Sequence, residues 1–229
     1  MLLTDIPAAD IQAVLFDLDD TLLDRRRSFE RFARDQWERL AHLLQAVSQE
    51  QYVQTLIARD RDGYGPRKEL FTGTIGQVEL SSGLTEPLLN DYRTRFPGAC
   101  LLFPDAAQTL SFLRASGLKL GLITNGSVRM QTRKLECLAL FPMFDTILIS
   151  DAEGISKPDR QIFRRALERL QVNPAQAVFV GDHPEVDVAG ARSAGMRAIW
   201  RRDPNVSRMV EADAVIDELR DLLTLLRLE

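Results

Sequence analysis

The chain has 229 residues, enough for one large domain or a core carrying a smaller insert, and its 45% hydrophobic and 27% charged content is an ordinary globular balance. A formal net charge of −4 and a pI near 5.4 disfavour a nucleic-acid or polyanionic-surface partner. Two cysteines, Cys100 and Cys137, make no disulfide framework and suit a reducing compartment.

The first twelve residues have no cationic stretch ahead of an apolar run, and no segment approaches ~18 consecutive apolar residues. The expectation is a cytoplasmic protein with no membrane partner. Residues 11–16 are nearly continuously apolar, which predicts a parallel strand buried on both faces. That run ends on Asp17, Asp19 and Asp20, carboxylates that repel one another and lose hydration if partly buried.

The pattern then changes. Apolar residues at 29, 32, 33, 37, 40, 41 and 44 have the spacing of an amphipathic helix, with Ser28 as its cap. Further helical patterns cover 49–60, 85–96 and, more weakly, 74–83. A loop over 61–71, bearing Gly63, Gly65 and Pro66, lies among them. No convincing strand occurs from about residue 24 to 97. After Pro104, strands (118–123, 146–149, 177–180, 197–200, 214–216) alternate with helices (105–115, 127–137, 159–170, 184–194, 217–226). This rhythm predicts an α/β fold: a doubly wound, Rossmann-like parallel sheet core, residues 1–23 and 101–229, interrupted by an all-helical insert over 24–100.

In an open parallel sheet, ligands bind outside the carboxyl ends of the strands. Those ends carry Asp17, Asp19 and Thr21; Thr124 and Asn125; Lys157; and Asp182, His183 and Asp187. Crowded carboxylates are stable around a cation, and an oxygen-rich site suits Mg2+. Thr124, Asn125 and Lys157 are donors suited to phosphate oxygens, although alone the first two also fit a turn and Lys157 a surface position. Together these are parts for phosphoryl transfer through an aspartyl-phosphate.

Four motifs stand in order: "DLDDT" at Asp17, Asp19 and Thr21; "LITNG" at Thr124; "SKPD" at Lys157; and "VGDHPEVD" at Gly181, Asp182 and Asp187. With them the chain resembles the haloacid dehalogenase superfamily of hydrolases, over essentially its whole length, and the insert resembles that family's helical cap. The resemblance implies a phosphatase acting on a small phosphorylated metabolite. Asp17 is then the nucleophile and a Mg2+ ligand. Asp19 is the general acid and base, and its backbone carbonyl is a second Mg2+ contact. Thr124, Asn125 and Lys157 hold the phosphoryl group, with Thr124 and Lys157 also catalytic. Asp182 binds the metal directly and Asp187 supports it. The cap would exclude water and choose the leaving group.

Alternatives remain open at this point. A dehalogenase needs neither the metal nor an acid at position 19, so Asp19 and Asp182 argue against it. A phosphomutase would keep both acids. A phosphonate-cleaving relative needs a cap lysine that forms an imine, for which Lys68 is the candidate. A receiver-like phosphate switch lacks the insert and the first motif. Asp20, Arg25, Arg26 and Arg27 read as solvated, His183 as a helix-start residue and His42 as unremarkable. The role of loop 62–71 and the choice between monomer and homodimer are open.

Overall fold

Strand β1, Ala13–Phe16, is four apolar residues with no exposed surface. It has a parallel neighbour on each side, so a run without polar alternation is satisfied as a strand. The computed structural model describes residues 11–60, 63, 65–203 and 210–228. The chain divides into two units, Met1–Asp24 with Leu102–Glu229, and Arg25–Leu101.

The second unit is helical throughout: α1 (Arg25–Arg39), α2 (Ala41–Leu44), α3 (Gln49–Arg59), α4 (Arg67–Gln77) and α5 (Thr85–Ala99). Phe29 and Phe32 of α1 meet Tyr92 and Phe96 of α5 edge-on, with ring centroids 5.5 to 6.4 Å apart. The buried Tyr52 hydroxyl donates to Gln36 Oε1 at 2.6 Å, and Gln36 Nε2 donates to the Leu88 carbonyl at 2.9 Å, so both of these buried side chains are paired.

Three expectations change here. Helix α1 begins at Arg25, so Ser28 lies inside it; rather than capping, its Oγ accepts the Leu101 N–H at 2.8 Å. Arg25 is buried, not solvated, with Nη1 2.5 Å from Asp60, which Arg67 also pairs. Arg26 and Arg27 are exposed. The predicted loop loses 67–71 to α4, because Leu70, Phe71, Thr74 and Ile75 fall on one buried face directly after Pro66. Residues 61, 62 and 64 of that loop lie outside the described residues.

The first unit continues with α6 (Ala106–Ala115), β2 (Lys119–Thr124), α7 (Val128–Cys137), β3 (Thr146–Ile149), α8 (Ser150–Glu153), α9 (Arg160–Leu170) and β4 (Ala177–Gly181). A π-helical turn at Pro184–Ala189 runs into α10 (Gly190–Ser193). Strands β5 (Arg197–Arg201) and β6 (Ala214–Ile216) and helix α11 (Asp221–Leu225) complete it. The predicted last helix starts four residues later than its pattern suggested, and the Asp221 carboxylate accepts the N–H groups of Asp217 and Glu218 in the turn that precedes it.

All six strands are parallel, in the order β3-β2-β1-β4-β5-β6. This is the Rossmann-like α/β sheet expected from the alternation of elements. The strand order reverses between β1 and β4, where Phe16 is level with Val180, so the crevice at their carboxyl ends is the switch point for a ligand. Helix α9 covers one face with Ile162, Phe163, Ala166, Leu167 and Leu170, and Phe163 stacks edge-on against Phe179 of β4 at 5.0 Å. Burial of such side chains contributes ~1.5–3 kcal/mol each and makes the strand ends a rigid platform. Among the described residues, no helix is long and apolar enough to cross a membrane.

Candidate active site

The Asp17 N–H continues the ladder past the end of β1, donating to the Val180 carbonyl at 3.0 Å. Its side chain therefore stands beside the end of β4, where Gly181 and Asp182 follow. Thr21 Oγ1 donates to Asp182 Oδ1 at 3.2 Å. The π-helical turn brings Asp187 back to the same point: its Oδ2 accepts the His183 N–H at 3.0 Å and its Oδ1 accepts from Lys157 Nζ at 2.7 Å. Lys157 Nζ also donates to Asp17 Oδ1. One carboxylate oxygen from each of Asp17, Asp182 and Asp187 lies within 4.8 Å of the others.

These charges do not balance. Burial raises the Asp17 carboxyl to about 7; Lys157 pulls it back only in part, while Asp187 and Asp19 push it further up. Asp182 is raised as well, by burial first and then by Asp187 and Asp17. Burial by itself would lower Lys157, but Asp17 and Asp187 outweigh it, so the lysine stays charged. One ammonium in direct contact with the cluster and a more distant Arg201 leave an excess of negative charge. A divalent ion with oxygen ligands would offset it, and the donor set fits Mg2+.

Gly181 is required here by close approach. A Cβ at that position would lie inside the Asp187 side chain, 2.6 Å from Oδ2. Gly181→Ala is expected to displace Asp187 from Lys157 and to cost about 1–3 kcal/mol, read as a lower midpoint in urea unfolding. An unchanged midpoint would show that Asp187 can shift without loss.

On the other side of Asp17, Thr124 ends β2 with 1% of its surface exposed. Gln131 Nε2 donates to Thr124 Oγ1 at 2.6 Å and to Asp19 Oδ2 at 2.9 Å. Because Thr124 accepts there, its hydroxyl proton is available to another oxygen. Lys134 Nζ donates to both Asp19 oxygens, at 2.7 and 2.8 Å. The Asn125 side chain clamps the Lys157 backbone, Nδ2 to the carbonyl and Oδ1 from the N–H, both at 2.9 Å. Asp20 occupies a left-handed turn at φ 59, with its carbonyl accepting from Arg201 Nη1 at 2.9 Å; it is part of the turn rather than only a solvated acid. His183 Nδ1 accepts the N–H groups of Glu185 and Val186, the helix-start role expected of it.

A carboxylate at the end of β1, a second acid two residues on, a buried threonine, a lysine and two further acids thus converge on one switch point. The sequence profile of haloacid dehalogenase-like hydrolases matches residues 11–195. The chain belongs to the haloacid dehalogenase-like hydrolases. This hydrolase is 32% identical over 228 residues to a glyceraldehyde 3-phosphate phosphatase from Methanopyrus kandleri, covering 95% of this chain and 97% of that one. A phosphoserine phosphatase from Thermus thermophilus is 42% identical over 125 residues, 55% of this chain; that match spans about half (48%) of the relative. Among solved structures, the HAD-hydrolase YfnB from Bacillus subtilis superposes with a TM-score of 0.72 over 94% of this chain and 98% of that one, at 24% identity, a likeness of fold. A 2-haloacid dehalogenase from Pseudomonas syringae pv. Tomato is 31% identical with a TM-score of 0.61, over 95% and 98% of the two chains.

Gln131 and Lys134 were not among the residues expected at the site of this hydrolase. The signal was available: they stand at i and i+3 on α7, beside the buried Leu135, where an amphipathic helix would place apolar residues.

Proposed function

We propose that this hydrolase is a Mg2+-dependent phosphatase that releases phosphate from a small phosphorylated metabolite through an aspartyl-phosphate on Asp17. Asp19 carries the reading. It is a second carboxyl on the same turn, bonded to Lys134 and Gln131 instead of to Lys157. A halide leaves without a proton, whereas an alkoxide needs one, so a separate acid has a purpose in phosphoester cleavage that dehalogenation lacks.

Asp17 Oδ bonds to phosphorus as the bond to the leaving oxygen breaks, and Asp19 gives that oxygen its proton. Asp19, now a carboxylate, takes a proton from water as the water oxygen bonds to phosphorus and the Asp17–phosphorus bond breaks. The Thr124 hydroxyl and Lys157 ammonium hold the phosphoryl oxygens. We read Asn125 as holding Lys157 in place through its backbone. Asp17, Asp182 and the Asp19 carbonyl would hold Mg2+, with Asp187, whose two oxygens are already bonded, as their support. When bound, the ion offsets the charge of the carboxylates and of the phosphate.

The two phosphatases named above carry names that specify three-carbon phosphomonoesters with a primary alcohol as leaving group. They support a substrate of that size. Lys68 is exposed and paired with Glu86 at 3.0 Å, in water rather than in the desolvated pocket that imine chemistry requires, so the phosphonate-cleaving alternative loses its candidate. Neither cysteine is in a disulfide, in keeping with a cytoplasmic setting.

The test is a panel of glyceraldehyde 3-phosphate, phosphoserine, glucose 6-phosphate and 2-chloropropionate, each with Mg2+ or with EDTA. Phosphate release that needs Mg2+ is expected, without chloride release. Chloride from the chloroacid, phosphoryl transfer with no free phosphate, or turnover indifferent to EDTA would overturn the reading.

A further inference from the structure

Helix α7 places two polar side chains on its buried face. Gln131 is 2% exposed, and the Lys134 side chain is 7% exposed. A buried lysine is uncommon, and an apolar residue would pack such a face with less desolvation. Both side chains make bonds that leave the helix. Both converge on Asp19, Lys134 bonding its two oxygens and Gln131 one of them, and the second Gln131 hydrogen goes to Thr124. One helix face thus reaches the two small groups that the mechanism uses on the side of the leaving oxygen and the phosphoryl oxygens.

We infer that Lys134 and Gln131 are positioning residues, setting the Asp19 carboxyl for proton transfer and holding the Thr124 hydroxyl with its proton free to donate. The inference rests on the phosphatase reading of Asp19 and adds the device that orients it. Asp19 is otherwise on a tight turn with a quarter of its side chain exposed, and a mobile acid transfers a proton poorly. Two donors set three residues apart on a helix restrict it to one orientation. The helix is anchored by Ser127, whose Oγ accepts the Met130 N–H at 3.3 Å.

The experiment compares two esters in single turnovers of the Mg2+-loaded enzyme. Glyceraldehyde 3-phosphate releases an alkoxide that needs a proton, while p-nitrophenyl phosphate releases an anion that does not. Lys134→Met is expected to slow cleavage of the alkyl ester at least about tenfold and of the aryl ester less than about threefold. Lys134→Arg is expected to recover part of the alkyl rate. In an Asp19→Asn background, adding Lys134→Met is expected to change the alkyl rate less than about twofold, since the group it positions is gone. If Lys134→Met does not fold, the smaller Lys134→Ala, which leaves room for water beside Asp19, gives the same two readouts. Equal losses on both esters, or an undiminished loss in the Asp19→Asn background, would show a merely structural role and overturn the inference. If Asp19→Asn itself slowed both esters equally, the acid role of Asp19 would fail instead, and the double-mutant comparison would still decide whether Lys134 acts through it.

Discussion

Asp17→Asn is expected to abolish phosphate release while leaving the protein folded. The amide oxygen accepts the Lys157 hydrogen bond that Asp17 Oδ1 accepts, so the local packing survives, but it has no negative charge with which to attack phosphorus. A loss of about 10⁴-fold or more is the expected scale for removing a nucleophile. The same substitution tests the electrostatics. The Asp17 carboxyl titrates at about 7 in the folded chain against an ordinary 3.8, chiefly through burial. Between those values the folded form holds a proton that the unfolded chain has released, so metal-free protein loses stability as pH rises from about 4 to 7. Thermal unfolding in EDTA should therefore show the parent falling between pH 5 and 8, with Asp17→Asn falling less and being the more stable of the two at pH 8. The Asp182 contribution has the same sign and remains in both. A parent with no such fall, or a variant less stable at pH 8, would mean that Lys157 neutralises Asp17 more fully than the geometry suggests.

Lys157→Met should have the opposite effect on stability. The ammonium is 2% exposed and bonds Asp17 and Asp187, themselves 10% and 2% exposed. Its removal leaves buried carboxylates without the cation they touch, a change that costs about 3–5 kcal/mol in other buried pairs. The charged lysine contributes fully at pH 5 to 8, since its folded pKa lies above its ordinary 10.5. The variant is expected to unfold at markedly lower urea at pH 8, to recover part of that loss at pH 5 as the carboxylates take up protons, and to lose at least about 10³-fold in phosphate release. Retained activity would assign Lys157 to packing alone. Equal stability losses at pH 5 and 8 would separate its role from the carboxylates.

Much of this was legible from residue order. Parallel strands buried on both faces read as apolar runs, and four of the six carboxyl ends carry a motif, so residue order alone points to Asp17, Thr124, Lys157 and Asp182 as neighbours at one crevice. What was missed has a common cause. Arg25 looked solvated because charge runs usually are; it is buried because Asp60, 35 positions later, pairs with it. Ser28 had the chemistry of a cap, but its partner, the Leu101 N–H, is 73 positions away. Gln131 and Lys134 broke an apolar face for the sake of Asp19, 112 and 115 positions earlier. Local spacing reports which face of an element is buried. It does not report which distant polar group makes that burial tolerable.

The same long separations bear on the order in which the molecule assembles. Lys157 and Asp17 lie 140 positions apart, and Thr21 and Asp182 lie 161 apart. In the denatured chain these groups are far from one another and neither repel nor attract. Asp182 and Asp187 reach Asp17 only when β4 docks beside β1, after the helical segment and two further strands have been crossed. Closing such long loops is slow, so the crowding of carboxylates is a burden that arises late in folding. Whatever relieves it, whether a proton, a lysine or a cation, therefore acts mainly by delaying the escape of β4 from β1, and sets the lifetime of the native state more than the speed of reaching it.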